Sequence, residues 1–157
     1  MASTSTGAPT PIRPILFAYD GSDLAAFAIG EASRLLATGR EAVVLCVWQP
    51  VDVGFVPTSK QHFDADKAPE VRRAAEETAA YGASLASEAG FRATSMAVEG
   101  APTWKGIVET VAALQAGVIV VGSHRHSGLK GHLVGSVAAA VVAHSNAPAL
   151  IVHPPQS

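Results

Sequence analysis

The residues best suited to chemistry lie in one stretch, Gly117 to Val137, GVIVVGSHRHSGLKGHLVGSV. An apolar run stops at Gly122, and Ser123, His124, Arg125, His126, Lys130 and His132 then bring a hydroxyl, imidazoles and cations between repeated glycines. Such a set suits an anion. Glycines let the backbone approach a ligand closely and take positive φ, so that successive N–H groups can point at phosphate oxygens. Gly135-Ser136 then opens a helix, whose first N–H groups lack intrahelical partners and carry partial positive charge. Ser136 is placed to cap that helix or to give its hydroxyl to a phosphate. Gly122 and Gly135 stand 13 positions apart, so the segment between them must double back if both are to face one ligand. Leu129, Leu133 and Val134 are the apolar residues that would anchor it.

Charge placement agrees with this reading. After Glu109 there is no Asp or Glu, whereas Arg125, Lys130 and five of the six histidines fall in that part of the chain. A carboxylate-free region suits a loop that receives an anion. Other chemistries lack their residues. There is no G-x-x-x-x-G-K-[ST], and neither Gly128, Gly131 and Gly135 nor the DGSD after the first apolar run makes G-x-G-x-x-G, so both common phosphate loops are excluded. No G-x-S-x-G is present for a nucleophile elbow. His124, His126 and His132 have no carboxylate or cysteine nearby in sequence, so they read as solvated or phosphate-donating histidines and no metal site is expected. The one cysteine, Cys46, sits inside VVLCVW and reads as a buried strand thiol. Trp48 and Trp104 have no aromatic companion in sequence that would suggest base stacking, and read as packing or partner-surface residues.

These residues need a scaffold, and the chain alternates strand and helix signals. Ile12 to Tyr19 is the first strand, ending at Asp20-Gly21-Ser22. Leu24, Phe27, Ala28, Glu31 and Leu35 recur at helical spacing, with Ser22 or Asp23 as cap and Gly39 as stop. Asp20 is itself a good turn former at the start of that helix. Ala42 to Trp48 is a second, wholly apolar strand, and residues 49 to 67 read as a long loop. Pro69 suits the first turn of a helix to about Glu88, with Val71, Ala74, Ala75, Thr78, Tyr81 and Leu85 on one stripe and Gly82 as an interior weakness. Phe91 to Val98 alternates, as an exposed edge strand does. Gly100-Ala101-Pro102 starts a helix through Ile107, Val108, Val111 and Leu114, closed by Ala116-Gly117. The opening stretch supplies the fourth strand, a helix follows from Ser136 to about His144, and Ala149 to His153 is the fifth strand. The order β-α-β-α-β-α-β-α-β implies a doubly wound parallel sheet with right-handed crossovers.

With 157 residues, 48% of them hydrophobic, the chain suits one domain, expected over residues 12–155 after a small, polar leader at 1–11. That leader has no charged and apolar segments in the order a secretory signal needs, and no apolar stretch reaches the roughly 18 residues of a membrane span. A cytoplasmic protein is expected. A net charge of -2 gives no general attraction to nucleic acid or to an anionic membrane surface.

Taken together, YDGSD, VVLCV, the GAP turn at 100–102, VIVVGSHRHSGLKGHLVGSV and NAPALIV resemble the universal stress protein family from about Arg13 to His153. The resemblance implies a five-stranded, Rossmann-like parallel sheet of order 3-2-1-4-5 with helices on both faces. It also implies a homodimer through the last strand, Ala149 to His153, and an unidentified protein partner. The family's ATP-binding branch carries G-x2-G-x9-G-[ST]. Gly122 matches the first glycine and Gly135-Ser136 the last pair, but Arg125 replaces the second glycine. Asp20 falls at the carboxylate near ribose and phosphate, Val47 at the residue whose backbone meets adenine, and Ala18 and Tyr19 at the base or sugar. Ser123, Arg125, His126 and Val137 complete the implied contacts. The ligand so implied is ATP, ADP or AMP, with Mg2+ accompanying a triphosphate. A guanidinium at Arg125 either pairs with a phosphate or fills its place, and the second case describes a nucleotide-independent dimeric interaction protein. No positioned base with a matched nucleophile is visible, so the expected role is nucleotide binding in stress response or signalling, with at most slow ATP hydrolysis.

Overall fold

A computed structural model describes residues 7, 10–50, 68–124 and 134–155. Nine elements alternate along the chain: β1 (Ile15–Ala18), α1 (Asp23–Leu35), β2 (Glu41–Trp48), α2 (Ala68–Glu88), β3 (Arg92–Glu99), α3 (Thr103–Leu114), β4 (Val118–Gly122), α4 (Ser136–His144) and β5 (Ala149–Val152). The strands form one parallel sheet in the order β3-β2-β1-β4-β5, as expected. β1 lies at its centre, with Ile15, Leu16 and Phe17 opposite Ala42, Val43 and Val44 on one side and opposite Val118, Ile119 and Val120 on the other.

The two faces of the sheet are read off alternate residues of β1. Ile15, Phe17 and Tyr19 pack against α1 and α2 through Ala25, Ala28, Ile29, Ala83 and Ala86. Leu16 and its neighbours Leu45, Ile119 and Val121 pack against α3 and α4 through Ile107, Val111, Ala138 and Val141. Helices therefore cover both faces, which is why the inner strands read as unbroken apolar runs. β3, at the sheet edge, keeps the half-exposed pattern that its alternation announced.

Several expected boundaries and faces are corrected. β1 begins at Ile15 rather than Ile12, which is 77% exposed, because Pro14 supplies no N–H to a ladder. α1 stops at Leu35, not Gly39, which sits in the following turn at φ 79°. α1 buries Leu24, Ala25, Ala28, Ile29 and Ala32, leaving Leu35 67% exposed. α2 buries Ala75, Ala79, Gly82, Ala83 and Ala86, so of the expected stripe Ala75 is buried and Leu85 packs partly on the core, whereas Ala74 and Tyr81 face away from it. Small residues make the contact, which lets α2 lie close to the sheet. α3 ends at Leu114 because Gln115 takes the left-handed conformation, φ 51°, ahead of Ala116-Gly117. Gly135, not Ser136, is the cap residue of α4, and β5 ends at Val152, one residue before His153. Trp104 does have an aromatic companion, His144, stacked at 4.3 Å between ring centroids.

Candidate functional site

β1 and β4 are adjacent, but the crossover from β1 leads to one side and that from β4 to the other, so their carboxyl ends open a crevice at the switch point. A cavity of about 340 Å³ occupies it. Ala18, Leu45, Val47 and Ile107 give it an apolar wall, and Asp20, Ser22, Ser123, His124 and Ser136 give it polar groups. The starts of three helices converge there: Ser22, Leu24 and Ala25 of α1, Thr103 of α3, and Gly135, Ser136 and Val137 of α4. Of the sequence-derived site residues, Ala18, Tyr19, Asp20, Val47, Gly122, Ser123, Gly135, Ser136 and Val137 all line this one cavity. Arg125 and His126 lie outside the described residues, as do Lys130 and His132.

The β1 end of the cavity is shaped by a tight turn. The Ser22 N–H donates to Asp20 Oδ1 at 2.9 Å, and Gly21 takes φ 84°, a left-handed value that a Cβ would strain. Ser22 then caps α1, its Oγ accepting the Ala25 N–H at 3.1 Å. Asp20 is thus a turn former and an exposed carboxylate at the cavity rim at once. Next to it the Tyr19 N–H donates to the Leu45 carbonyl at 2.9 Å. The chain then turns away, so the main-chain groups of Val47, which point to the same side as those of Leu45 and away from its pair Val98 in β3, have no hydrogen-bond partner among the described residues. Tyr19 is 4% exposed, and burial with the nearby Tyr81, Asp20, Asp23 and Cys46 pushes its phenol pKa up. Burial, followed by the Asp20 charge, does the same to the Cys46 thiol, which fits a structural and not a reactive cysteine.

The β4 end is held by Ser123. Its N–H donates to the Val152 carbonyl at 2.8 Å, and its Oγ accepts the Gly135 N–H at 2.8 Å. Gly122 beside it packs so tightly on α1 that a Cβ would lie 2.8 Å from Leu24 Cγ. Among the described residues no group accepts the N–H groups of Ser136 and Val137, both of which line the cavity. The Gly135 N–H, by contrast, is already taken. Such a mouth, apolar on one side and faced by the first N–H groups of a helix on another, can hold a planar apolar group joined to an anion. Among the described residues no three of His, Cys, Asp and Glu cluster as a metal site would require.

Sequence reading did not single out Leu24, Leu45, Thr103 or Ile107 as site residues. Thr103 and Ile107 stand on one face of α3, and the GAP turn before them was the only local signal that this helix begins at the carboxyl end of the sheet.

The universal stress protein family model matches residues 11–153. The chain belongs to that family. A comparison with curated protein sequences finds no match. Among solved structures, this family member is similar to a hypothetical protein whose biochemical function was assigned from its structure, at 24% identity and TM-score 0.73, over 94% of this chain and 100% of the other. It is also similar to a universal stress protein in complex with cAMP, at 25% identity and TM-score 0.64, over 92% and 98% of the two chains. A third is a universal stress protein family protein from Arabidopsis thaliana with AMP bound, at 14% identity and TM-score 0.61, over 91% and 92%. No helix among the described residues is long and apolar enough to cross a membrane.

Proposed function

We propose that this universal stress protein binds an adenine nucleotide in the β1–β4 cavity and acts in stress response or signalling without being a true catalyst. The observation that carries the reading is the pairing, in one cavity, of the backbone of Val47 with the amino end of α4, both without hydrogen-bond partners there among the described residues. A strand N–H and C=O side by side offer a donor to adenine N1 and an acceptor to its amino group, while Ala18 and Ile107 supply apolar contact. Asp20 keeps lone pairs for a ribose hydroxyl beyond the one used by Ser22. Phosphate oxygens would take the N–H groups of Ser136 and Val137, favoured by the helix dipole. The cavity volume falls within the roughly 300–1,000 Å³ usual for small-ligand sites. The similarity to structures holding cAMP and AMP supports the same ligand class.

The finer reading is ATP, or else ADP or AMP, with Arg125 pairing with a phosphate. Mg2+ would be carried by the triphosphate and its waters, since it binds through few protein ligands in such sites. The protein would pair with a second copy through β5, an outer strand of the sheet, and pass its nucleotide state to a protein partner. Heat denaturation of the purified protein should release adenine nucleotide, and calorimetric titration with Mg-ATP should show binding. Absence of both at millimolar ATP overturns the proposal and favours the nucleotide-independent reading. If Arg125→Gly leaves ATP affinity unchanged, the arginine contact is wrong.

A further inference from the structure

Thr110 and Ser123 are the buried polar residues among those described. Thr110 is explained locally, its hydroxyl donating to the Gly106 carbonyl of its own helix at 2.7 Å. Ser123, 2% exposed, is bound at all three of its polar groups, and the bonds reach two other elements. Its N–H meets Val152 at the end of β5, its Oγ meets Gly135 at the start of α4, and its carbonyl lies 3.1 Å from Nδ1 of His153. We propose that Ser123 and His153 form a clamp that positions the amino end of α4 for phosphate. The proposal rests on the nucleotide reading above.

Ser123 is in the candidate motif, where a hydroxyl beside a phosphate loop is naturally taken as a ligand contact. The geometry adds a second role: Oγ accepts from Gly135, and a Cβ added to Gly135 would lie 3.3 Å from it, so the hydroxyl is packed against the start of α4 whatever its remaining O–H meets. What Ser123 controls is where α4 begins. The attraction of a helix end for an anion falls off within its first turn, so a small displacement of Ser136 and Val137 changes phosphate binding and leaves the base wall untouched. His153 acts one step further back. With the proton on Nδ1 it donates to the Ser123 carbonyl and fixes the peptide plane that carries the clamp to β4. Val152 and His153 adjoin in sequence, so the end of β5 grips Ser123 from both its N–H and its C=O.

The test compares ATP with adenosine, which lacks the phosphates, by calorimetry on the full chain. Ser123→Ala and His153→Ala should each weaken ATP binding about fivefold to tenfold, the equivalent of a net hydrogen bond or slightly more. Adenosine affinity should stay within about twofold of the wild type, since the base wall is unaltered. His153→Asn, whose amide N–H can replace Nδ1–H, should restore ATP binding. Equal losses for ATP and adenosine, or no loss at all, would overturn the clamp as a positioning device. If the wild type binds neither compound, the nucleotide reading fails and the clamp is judged alone by amide hydrogen exchange. The Gly135 amide should then be protected in the wild type and His153→Asn, and exchange markedly faster in Ser123→Ala and His153→Ala. Unchanged exchange there refutes it. Because His153 is only half-buried, its variants fold even if Ser123→Ala does not.

Discussion

Two interior helix glycines of this protein should respond to alanine with opposite signs. Gly82 lies on the buried face of α2, where an added Cβ would stand 2.6 Å from Tyr19 Cδ1, 2.7 Å from Val44 Cγ1 and 2.9 Å from Tyr19 Cε1. Tyr19 and Val44 are 4% and 0% exposed, so neither can swing aside into solvent. Gly30 of α1 is exposed and has nothing within 4 Å of the same position. Alanine in a helix interior is favoured over glycine by about 1 kcal/mol. At Gly30 that gain stands alone. At Gly82 it is opposed by overpacking, which typically costs about 1–3 kcal/mol and here falls at the upper end because three rigid contacts are violated together. Gly82→Ala should therefore lose about 1–2 kcal/mol net and lower Tm by roughly 2–8 °C, while Gly30→Ala gains about 1 kcal/mol and raises Tm by roughly 2–4 °C. Paired thermal and urea denaturation reads both. A Gly82→Ala protein as stable as Gly30→Ala would refute the close approach of α2 to the sheet. Tyr19 lines the cavity, so Gly82→Ala should also weaken nucleotide binding while Gly30→Ala does not.

Gly122→Ala should destabilise as well, since its Cβ would meet Leu24 Cγ at 2.8 Å and the Leu24 main-chain oxygen at 3.2 Å; a loss of about 1–3 kcal/mol in urea unfolding, with weakened ATP binding, is expected. Asp20→Ala should reduce nucleotide affinity at a cost of less than about 1 kcal/mol in stability, because it removes one exposed hydrogen bond to Ser22; an unaltered affinity would exclude the ribose contact. The raised pKa values of Cys46 and Tyr19 fix the sign of an alkaline response. Their neutral forms are favoured by folding, so that contribution is complete below the ordinary thiol and phenol values, about 8.5 and 10, and is lost as pH rises through the higher folded values. Stability measured by urea midpoint should fall from about pH 8.5 upward, more gently in Cys46→Ser up to about pH 10, and Cys46 should react with a thiol reagent only once the protein unfolds.

How far this fold could be read from the chain depends on which residues carried the signal. The strands were legible because a parallel sheet covered on both faces demands continuous apolar runs, and FAY, VVLCV and VIVVG have no competing reading. The faces of the helices were not. In α2 alanines fall on several sides, so hydropathy favoured the larger Tyr81, which is exposed, whereas packing favoured Ala79, Gly82 and Ala83, which let the helix approach. Gly82 looked like a local defect for the same reason. Its cause, the ring of Tyr19, lies 63 positions away in sequence and one layer away in space.

The candidate site divides along the same line. Gly122, Gly135 and Ser136 were legible as a spaced motif, and Asp20 as the end of the first strand, because each marks a break in local structure. Leu24, Thr103 and Ile107 were not, since only the crossovers bring the starts of α1 and α3 to the cavity. Ser123 falls between the two cases. Its place in the motif was visible, but a serine after a glycine reads the same whether its hydroxyl faces a ligand or its own backbone. The Gly135 amide, 12 residues on, and the imidazole of His153, 30 residues on, tie it to its own fold. The distinction changes what the motif means: in the proposed reading the first serine sets where the helix stands, and an anion would meet the N–H groups of Ser136 and Val137, which have no partner among the described residues.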